Sequence, residues 1–373
     1  MKDECYLVLY ELLRAALSSS NEPLTLSRTL SETEWNVLHA ECIKQCMAGV
    51  SYRAICRLNK EQLPPRKLLL LWTHESQMIS GHNRLLNAEA ARLTELFAAQ
   101  GHKTAVQKGP ANARLYPDAL MRQAGDIDLW VDGGRENVVA LMRKLNFDFD
   151  NKDLSEHHAH LSKNKNGVIV EIHYKVAPDL KRSSACKILR NFLETEIQNA
   201  ERVPEGFYAP SIKFALVMQL SHIQKHVLYS GIGLKQLLDY YILLQHTTEE
   251  DRLEVKHMLP SFGFTKICAA LMWVLEYVFG LEKSLMLCEP NKRLGKKVLA
   301  DVHKGGHFGK FKSKGLAPKA HAMKWLDCRI RFFKYVAMAP QEMLLRELNY
   351  WISFAKTIPR RIRERRLYLS KRG

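Results

Sequence analysis

The sequence of 373 residues has an ordinary globular composition, 46% hydrophobic and 25% charged, which excludes a long disordered or low-complexity chain. No apolar run reaches the roughly 18 residues that a membrane-spanning helix needs, and the first residues lack the pattern of a secretion signal, so we expect a cytoplasmic protein. The net charge of +17 arises in residues 291–373, where 22 Lys or Arg face five acids.

The basic C-terminal region and the cysteines limit the class of protein further. Residues 291–373 could bind RNA, an acidic lipid surface or an anionic substrate, or they could form a solvated tail. The remainder of the chain is balanced, with 34 basic and 34 acidic residues. Eight cysteines are scattered without a C-x-x-C pair, so the sequence indicates neither a zinc ribbon nor a disulfide framework.

The first hundred residues are predicted to be helical. Apolar residues recur with helical spacing over residues 3–17 and again over residues 66–100. Between these segments, Ser31 and Glu34 form a capping box, which predicts a helix that runs through Met47.

The pattern changes after these helices. Residues 103–108 are short and β-like, and a helix of small residues is expected over 111–115. A strand over residues 126–131 ends at a Gly-Gly pair, and a helix is predicted over 135–145. The alternation of strand and helix predicts a small mixed sheet.

The strand at residues 126–131 contains an alternating pair of acids. In an extended strand Asp126 and Asp128 point to one face, while Ile127, Leu129 and Val131 point to the other. Two carboxylates in one small space repel each other unless a divalent cation keeps both ionised, so the pair indicates a metal site. The alternative is an exposed sheet edge whose far side is buried.

A predicted hairpin supplies a third acid. Residues 157–161 run up to Lys163-Asn164-Lys165-Asn166-Gly167, and the chain returns over residues 168–173. The Asn166-Gly167 pair is the strongest short-range hairpin signal. The return strand puts Glu171 on its polar face, beside the two aspartates. Three oxygen ligands on one side of one sheet suit Mg²⁺ or Mn²⁺.

Histidines accompany this third acid. A two-residue turn would pair residue 162 with Glu171, which places His158 and His160 on the face that carries Glu171 and His173. The imidazoles and the carboxylate could bind zinc. Alternatively His173 orients the metal-binding carboxylates, or the histidines simply form a hydrated sheet face.

Several short motifs follow one another along the chain in a recognisable order. They are Gln107-Lys108-Gly109, Tyr116-Pro117, Gly125-Asp126-Ile127-Asp128-Leu129, Val170-Glu171-Ile172-His173-Tyr174, and the glycine-containing segments at 231–239 and 305–309. This order resembles the nucleotidyltransferases of the DNA polymerase β superfamily. It resembles more closely a family of uncharacterised bacterial nucleotidyltransferases, over roughly residues 70–312.

The resemblance implies roles for individual residues. Asp126 and Asp128 would be the paired metal ligands, and Glu171 would hold the ion that activates the acceptor hydroxyl. Mg²⁺ or Mn²⁺ would be the cofactor and an NTP the donor substrate. Gly109 would match the glycine whose backbone N–H approaches the nucleotide phosphates at a helix start, but Pro110 stands where the superfamily usually has Ser or Gly.

Phosphate contact therefore has to come from other residues. Because Pro110 offers neither a hydroxyl nor an N–H, we expect it from Lys108, with Arg122 as the second candidate. Lys235 and Asp239 lie one helical turn apart. Either they line the cleft beneath a helical lobe, or they form a surface ion pair.

The C-terminal half is predicted to be helical. Apolar stripes predict helices over 212–228 and 234–244, and the loop at 305–309 is expected to border the site. The last fifty residues predict one or two basic amphipathic helices. Their buried side would consist of Trp325, Ile330, Phe333, Leu344, Leu348 and Trp351.

We therefore predict an α+β protein with a small mixed β-sheet nucleotidyltransferase core at 101–180, an N-terminal helical region at 1–100 and a C-terminal helical lobe with a basic tail at 181–373. The expected reaction is metal-dependent transfer of an NMP group from an NTP to a hydroxyl of a sugar, metabolite, protein or RNA end. The alternatives are a catalytically inactive binding or scaffold protein with this fold, and an RNA-binding protein that uses its basic C-terminal region.

Overall fold

The computed structural model describes residues 2–18, 20, 22–176, 184–306 and 320–363. It is an α+β protein in which many helices surround a small mixed sheet. The helices are α1 (Lys2–Leu17), α2 (Glu32–Gln45), α3 (Ala48–Ile55), α4 (Arg66–Ala98), α5 (Pro110–Ala113), α6 (Gly134–Lys144), α7 (Ser184–Glu196), α8 (Ile212–Tyr229), α9 (Leu234–Gln245), α10 (Glu249–Phe262), α11 (Thr265–Phe279), α12 (Lys292–Gly305), α13 (Ala320–Tyr335) and α14 (Pro340–Arg363). The strands are β1 (Thr104–Val106), β2 (Asp126–Val131), β3 (His158–His160), β4 (Ile169–His173), β5 (Glu201–Arg202) and β6 (Tyr208–Ala209).

The N-terminal helices begin as the sequence predicts, but α2 ends early. The Ser31 side chain accepts from the Glu34 backbone N–H and the Glu34 carboxylate accepts from the Ser31 N–H, so the capping box is confirmed. The helix does not continue through Met47. Cys46 adopts a left-handed conformation with φ 57° and ends α2, and α3 starts again at Ala48.

The main sheet has the strand order β1-β2-β4-β3. Its two central strands, β2 and β4, are parallel, while β1 and β3 pair antiparallel with them on either side. The buried face of the sheet packs on α4 and α6 through residues such as Leu93, Phe97 and Met142. The opposite face carries the acids and faces the helices of the C-terminal half.

The hairpin between β3 and β4 has a longer loop than the sequence predicts. Glu171 pairs with His160 and not with residue 162. The Asn164 side chain accepts the backbone N–H groups of Asn166 and Val168, which holds a wider turn. Since the shift is two residues, each side chain still points to the predicted face.

A second and larger core joins the N-terminal helices to the C-terminal half. It contains Leu9 and Leu12 of α1, Trp72 of α4, Tyr240 of α9 and Leu271 of α11, all of them fully buried. The two halves of the chain therefore pack around one shared apolar interior.

The face that α13 and α14 bury is not the predicted one. Trp325 is half-buried, and the other five residues of the predicted stripe are exposed: Ile330, Phe333, Leu344, Leu348 and Trp351. The helices bury Tyr335 and Met343 instead. Asp301 of α12 accepts hydrogen bonds from Arg331, Lys334 and the Tyr335 hydroxyl, and this polar anchor selects the buried face.

The glycine-rich segment at 305–309 lies partly beyond α12. Gly305 ends the helix and Gly306 follows with φ 59°, whereas residues 307–309 lie outside the described residues. Within the described ranges, no helix combines the length and the hydropathy needed to cross a bilayer.

Candidate active site

The acids of β2 and β4 converge because the two strands are parallel neighbours in register. Asp128 lies directly across from Glu171, and Asp126 lies two residues earlier on the same face. The intervening Ile127 and Leu129 are fully buried in the opposite face. The alternation in each strand thus gives one polar surface with three carboxylates, and all three line the same cavity.

His173 connects two of these carboxylates. Its Nε2 lies 3.0 Å from Asp128 Oδ1 and 3.5 Å from Glu171 Oε2. Burial opposes the charged imidazole, but the hydrogen bonds to Asp128 and Glu171 raise the pKa of His173. The ring therefore holds the two acids in a fixed relative position.

The carboxyl groups differ in their protonation equilibria. Burial and the charge of Asp128 raise the pKa of Asp126. Burial also opposes ionisation of Asp128, but the charge of Lys108 and the hydrogen bond from His173 hold the pKa of Asp128 below its usual value. Ionisation of Asp126, the more exposed aspartate of the pair, is therefore disfavoured, and a bound cation would favour it.

Lys108 and Gly109 enter the site at the end of β1. Lys108 Nζ lies 3.3 Å from Asp128 Oδ1, so this lysine neutralises one of the acids. Gly109 has φ 68°, and a Cβ at this position would lie 2.8 Å from the carbonyl oxygen of Asp126. Gly109 is thus required by the close approach of the loop to β2, whatever it contacts in a ligand.

Arg122 is buried and paired. Its Nε lies 2.6 Å from Asp239 Oδ1 and its Nη2 lies 2.8 Å from Asp239 Oδ2, and the Tyr116 hydroxyl donates to the same carboxylate at 2.7 Å. Asp239 is 2% exposed and Lys235 is 8% exposed, so the surface ion pair expected as one alternative is wrong. Both residues line the cavity, which is the other alternative.

The cavity has a volume of about 660 Å³ and lies between the sheet and two helices. Strand residues form one wall, and α8 and α9 form the other. Sequence reasoning missed the wall from α8, to which Gln219, His222 and Lys225 contribute. Their signal was present, since three polar residues interrupt an otherwise apolar stripe at helical spacing.

Four buried polar atoms at the cavity have no hydrogen-bond partner among the described residues. They are Asp128 Oδ2, Gln107 Nε2, Arg122 Nη1 and His157 Nδ1. Buried polar atoms are normally satisfied, so these atoms mark positions where a ligand or a water would supply the partner. Asp128 Oδ2 is an anionic acceptor, which suits a cation, and the Gln107 and Arg122 nitrogens are donors, which suit the oxygens of an anion.

Two groups of side chains in the described part of the chain have the arrangement of a metal site. Asp128, Glu171 and His173 form one, and His158, His160 and Glu171 form the other, with the ligand atoms of each group within 4.8 Å of one another. Burial and the neighbouring His173 lower the pKa of His158 to about 4, so this ring is neutral near pH 7.

One comparison with known proteins, the match to a family profile, points in the same direction as the site. The sequence profile of a family described as uncharacterised nucleotidyltransferase matches residues 31–280. Among solved structures, the chain is similar to an antigenic nucleotidyltransferase-like protein from Paracoccidioides brasiliensis, with 12% identity and a TM-score of 0.34 over 56% of this chain and 95% of that chain. No curated protein matches the chain.

Proposed function

Since the chain belongs to the family of uncharacterised nucleotidyltransferases, we propose that it is an enzyme that transfers an NMP group from an NTP to an acceptor hydroxyl. The acceptor oxygen forms a bond to the α-phosphorus and its proton is released, while the bond between the α-phosphorus and the oxygen that bridges to the β-phosphate breaks, so pyrophosphate leaves. The acceptor hydroxyl belongs to a sugar, a small metabolite, a protein side chain or an RNA end.

The observation that carries this proposal is the convergence of Asp126, Asp128 and Glu171 at one cavity. Parallel pairing of β2 and β4 puts Asp128 opposite Glu171, and both strands turn their apolar residues to the core. A merely hydrated sheet face does not explain why Asp128 is 2% exposed with one oxygen unpartnered among the described residues.

The residues present fit Mg²⁺ or Mn²⁺. The donor set is carboxylate oxygen, which both ions prefer, and Asp126 and Asp128 would hold the ions together with Glu171. The unpartnered oxygen of Asp128 and the raised pKa of Asp126 are the features that a cation would relieve. When bound, such an ion neutralises phosphate charge and increases the nucleophilicity of the acceptor hydroxyl.

Other residues of the chain would bind and orient the nucleotide. Lys108, which pairs with Asp128, would bind a phosphate instead once a cation neutralises that acid. Lys235 lines the cavity, and burial and the charge of Arg122 lower its pKa, so an anion beside it would favour its charged form. The buried Nη1 of Arg122 would donate to an oxygen of the nucleotide, while Nε and Nη2 donate to Asp239.

The walls of the cavity would also limit the access of water to a bound NTP. Most of the lining comes from the sheet and from α8 and α9, so an NTP would be enclosed on two sides. His173 would keep Asp128 and Glu171 in place as charge develops.

We also propose that the protein works in the cytoplasm, a compartment that suits its eight free thiols.

Nucleotide binding is tested first, by thermal shift with Mg²⁺ and each NTP in turn. We expect an increase in melting temperature that requires both the metal and an NTP, and that is lost in Asp128→Asn because the cation site is lost. Asp148→Asn is the matched control, an exposed acid of the same region outside the cavity, and it should respond like the wild type.

Transfer is tested with NTPs labelled at the α-phosphate, Mn²⁺ and an extract of the host. Label should appear in an acceptor with wild type and with Asp148→Asn, and be absent with Asp126→Ala and Glu171→Ala although both variants remain folded. Labelling that survives in both variants refutes the assignment of the site. Metal-dependent NTP binding without any transfer would support the inactive binding protein instead, and salt-sensitive RNA binding without an NTP response would support the RNA-binding alternative.

A further inference from the structure

The cavity contains a cluster of nitrogen ligands that the proposed reaction does not use. His158 and His160 lie at alternate positions of β3, so both point to the face that carries Glu171. His158 Nε2 lies 3.1 Å from His160 Nε2 and 3.9 Å from Glu171 Oε2. His160 Nδ1 lies 3.1 Å from Glu171 Oε1. Two imidazoles and one carboxylate thus meet at the edge of the cavity.

The short distances from His160 involve both of its ring nitrogens, Nε2 towards His158 and Nδ1 towards Glu171, and a single ion would bind one of the two. Zn²⁺ binds histidine nitrogen at about 2.0–2.1 Å, so neighbouring ligand atoms of a tetrahedron lie roughly 3.4 Å apart. All three side chains already provide one ligand atom within 4.8 Å of the others. Rotations of the side chains, with no movement of the strands, are therefore enough to close the site around an ion.

The backbone that carries the two histidines is held from several sides. The Ser155 hydroxyl accepts the His158 N–H at 2.9 Å and donates to the His158 carbonyl oxygen at 2.9 Å. The Tyr174 hydroxyl donates to the same carbonyl at 3.0 Å. Between the histidines, Ala159 is fully buried in the core of the sheet. The ligands are therefore preorganised, which favours metal binding.

We propose that His158, His160 and Glu171 form a binding site for a first-row transition ion, with Zn²⁺ as the preferred occupant. The site differs in chemistry from the proposed magnesium site, because imidazole nitrogen suits Zn²⁺ and is a poor ligand for Mg²⁺. It shares Glu171 with that site, and its formation does not depend on nucleotide transfer.

The position of the cluster gives the ion access to a substrate. All three ligands line the cavity, and three protein ligands leave one tetrahedral position for water or for an oxygen of a bound anion. His160 is exposed, so an ion can enter from solvent. The site would thus add a second cation to the cleft, with Glu171 as the carboxylate common to both positions.

The chain offers a close comparison for the experiment. His222 and His226 lie one turn apart on α8 with ring centroids 4.4 Å apart, and they are not part of either group of three metal ligands found among the described residues. His226 Nδ1 lies 2.7 Å from the Ser230 hydroxyl. This second pair of imidazoles, which lies outside both groups of three ligands, therefore serves as the matched control.

The test is a calorimetric titration of metal-free protein with Zn²⁺ in excess Mg²⁺, without nucleotide. It uses a Cys56→Ser background, which removes an exposed thiol that could also bind zinc. We expect one Zn²⁺ per chain, with affinity at least about tenfold lower in His158→Gln and His160→Gln. His226→Gln should bind Zn²⁺ as the background protein does. Co²⁺ in place of Zn²⁺ should give the intense visible absorption of a tetrahedral site, and both His158→Gln and His160→Gln should lose it.

The proposal is overturned if both histidine variants keep the affinity of the background protein, or if His226→Gln loses as much as they do. Melting of each metal-free variant shows that any loss of affinity does not come from unfolding. Because the readout is metal binding without nucleotide, its failure leaves the proposed transfer reaction untouched, and absence of transfer leaves this site untouched.

Discussion

Gly109 lies where the loop after β1 closely approaches the first residue of β2. Its φ of 68° is a conformation that side chains other than glycine adopt with strain, and the space where a Cβ would lie is taken by the Asp126 carbonyl oxygen at 2.8 Å. The carbonyl belongs to the first residue of β2, so a movement of the loop also displaces the proposed metal ligand.

Gly109→Ala is therefore expected to lower the free energy of unfolding by roughly 1–3 kcal/mol, the usual cost of a strained backbone position. The variant should also lose the metal-dependent response to NTP, because Asp126 has to shift. Equilibrium unfolding in urea measures the first effect and thermal shift the second.

Gly81→Ala is the control for this substitution. Gly81 lies inside α4, and no atom of another part of the described structure lies within 4 Å of the position that an alanine Cβ would take. Alanine should therefore stabilise the helix by about 0.5–1 kcal/mol. Equal effects of the two substitutions would contradict the strain that we assign to Gly109.

At the scale of elements, a single carboxylate connects the loop before β2 to the helices of the C-terminal half. Asp239 of α9 accepts hydrogen bonds from Nε and Nη2 of Arg122 and from the hydroxyl of Tyr116, and all three side chains are buried. An ion pair at this depth is costly to break from one side, because the remaining charge stays buried. The pair thus sets the distance between the two walls of the cleft.

Asp239→Asn is expected to lower the free energy of unfolding by about 3 kcal/mol at pH 7, since it leaves Arg122 without its counter-charge. Burial disfavours the ionised carboxylate, but the charge and hydrogen bonds of Arg122 hold the pKa of Asp239 below the usual value of an aspartate. The ionised carboxylate therefore stabilises the fold fully at a pH above the pKa that Asp239 has in the unfolded chain. This stabilisation is lost as the pH falls through the lower pKa that Asp239 has in the folded protein.

The difference between wild type and Asp239→Asn should stay constant from pH 7 to about pH 4 and narrow below 3.8, because only the wild type loses an ionised group there. Urea unfolding across this range measures it. Asp148→Asn, at an exposed position, should show no such difference. A difference that grows on acidification would give the opposite sign and refute the assignment.

At the scale of the whole molecule, α1 is part of the same core as the C-terminal half. Leu9, Leu12 and Leu13 are fully buried in the cluster that contains Phe214 and Leu271. The proposed division at residues 100 and 180 is thus one of sequence segments that pack together, and the first segment stabilises the lobe that covers the cleft.

Leu12→Ala is expected to cost roughly 2–5 kcal/mol, because it leaves a cavity in this shared core. Leu7→Ala in the same helix should change the free energy of unfolding by no more than about 0.5 kcal/mol, since Leu7 is 51% exposed. Unfolding in urea, followed by circular dichroism, compares the two. Similar costs would show that α1 is not anchored in the core as described.

The sequence by itself determined the pattern within each strand and helix. Alternation in β2 and β4 was enough to place the acids Asp126, Asp128 and Glu171 on one face and the apolar Ile127 and Ile172 on the other. The hairpin register differs from the predicted one by two residues, and a shift by an even number leaves each side chain on the predicted face. The capping box at Ser31 was readable for the same reason, because it joins residues three apart. These features depend on neighbours in the chain.

Only the tertiary structure decided which residues far apart in the sequence become partners. Arg122 and Asp239 are separated by 117 positions, and nothing local to either residue indicates that they pair. The faces of α13 and α14 were predicted wrongly for the same reason, because Asp301 on α12 selects Arg331 and Tyr335 over the exposed Phe333. Periodicity states that a helix has two faces, but the choice between them depends on the free energy of contacts with the element that packs against it.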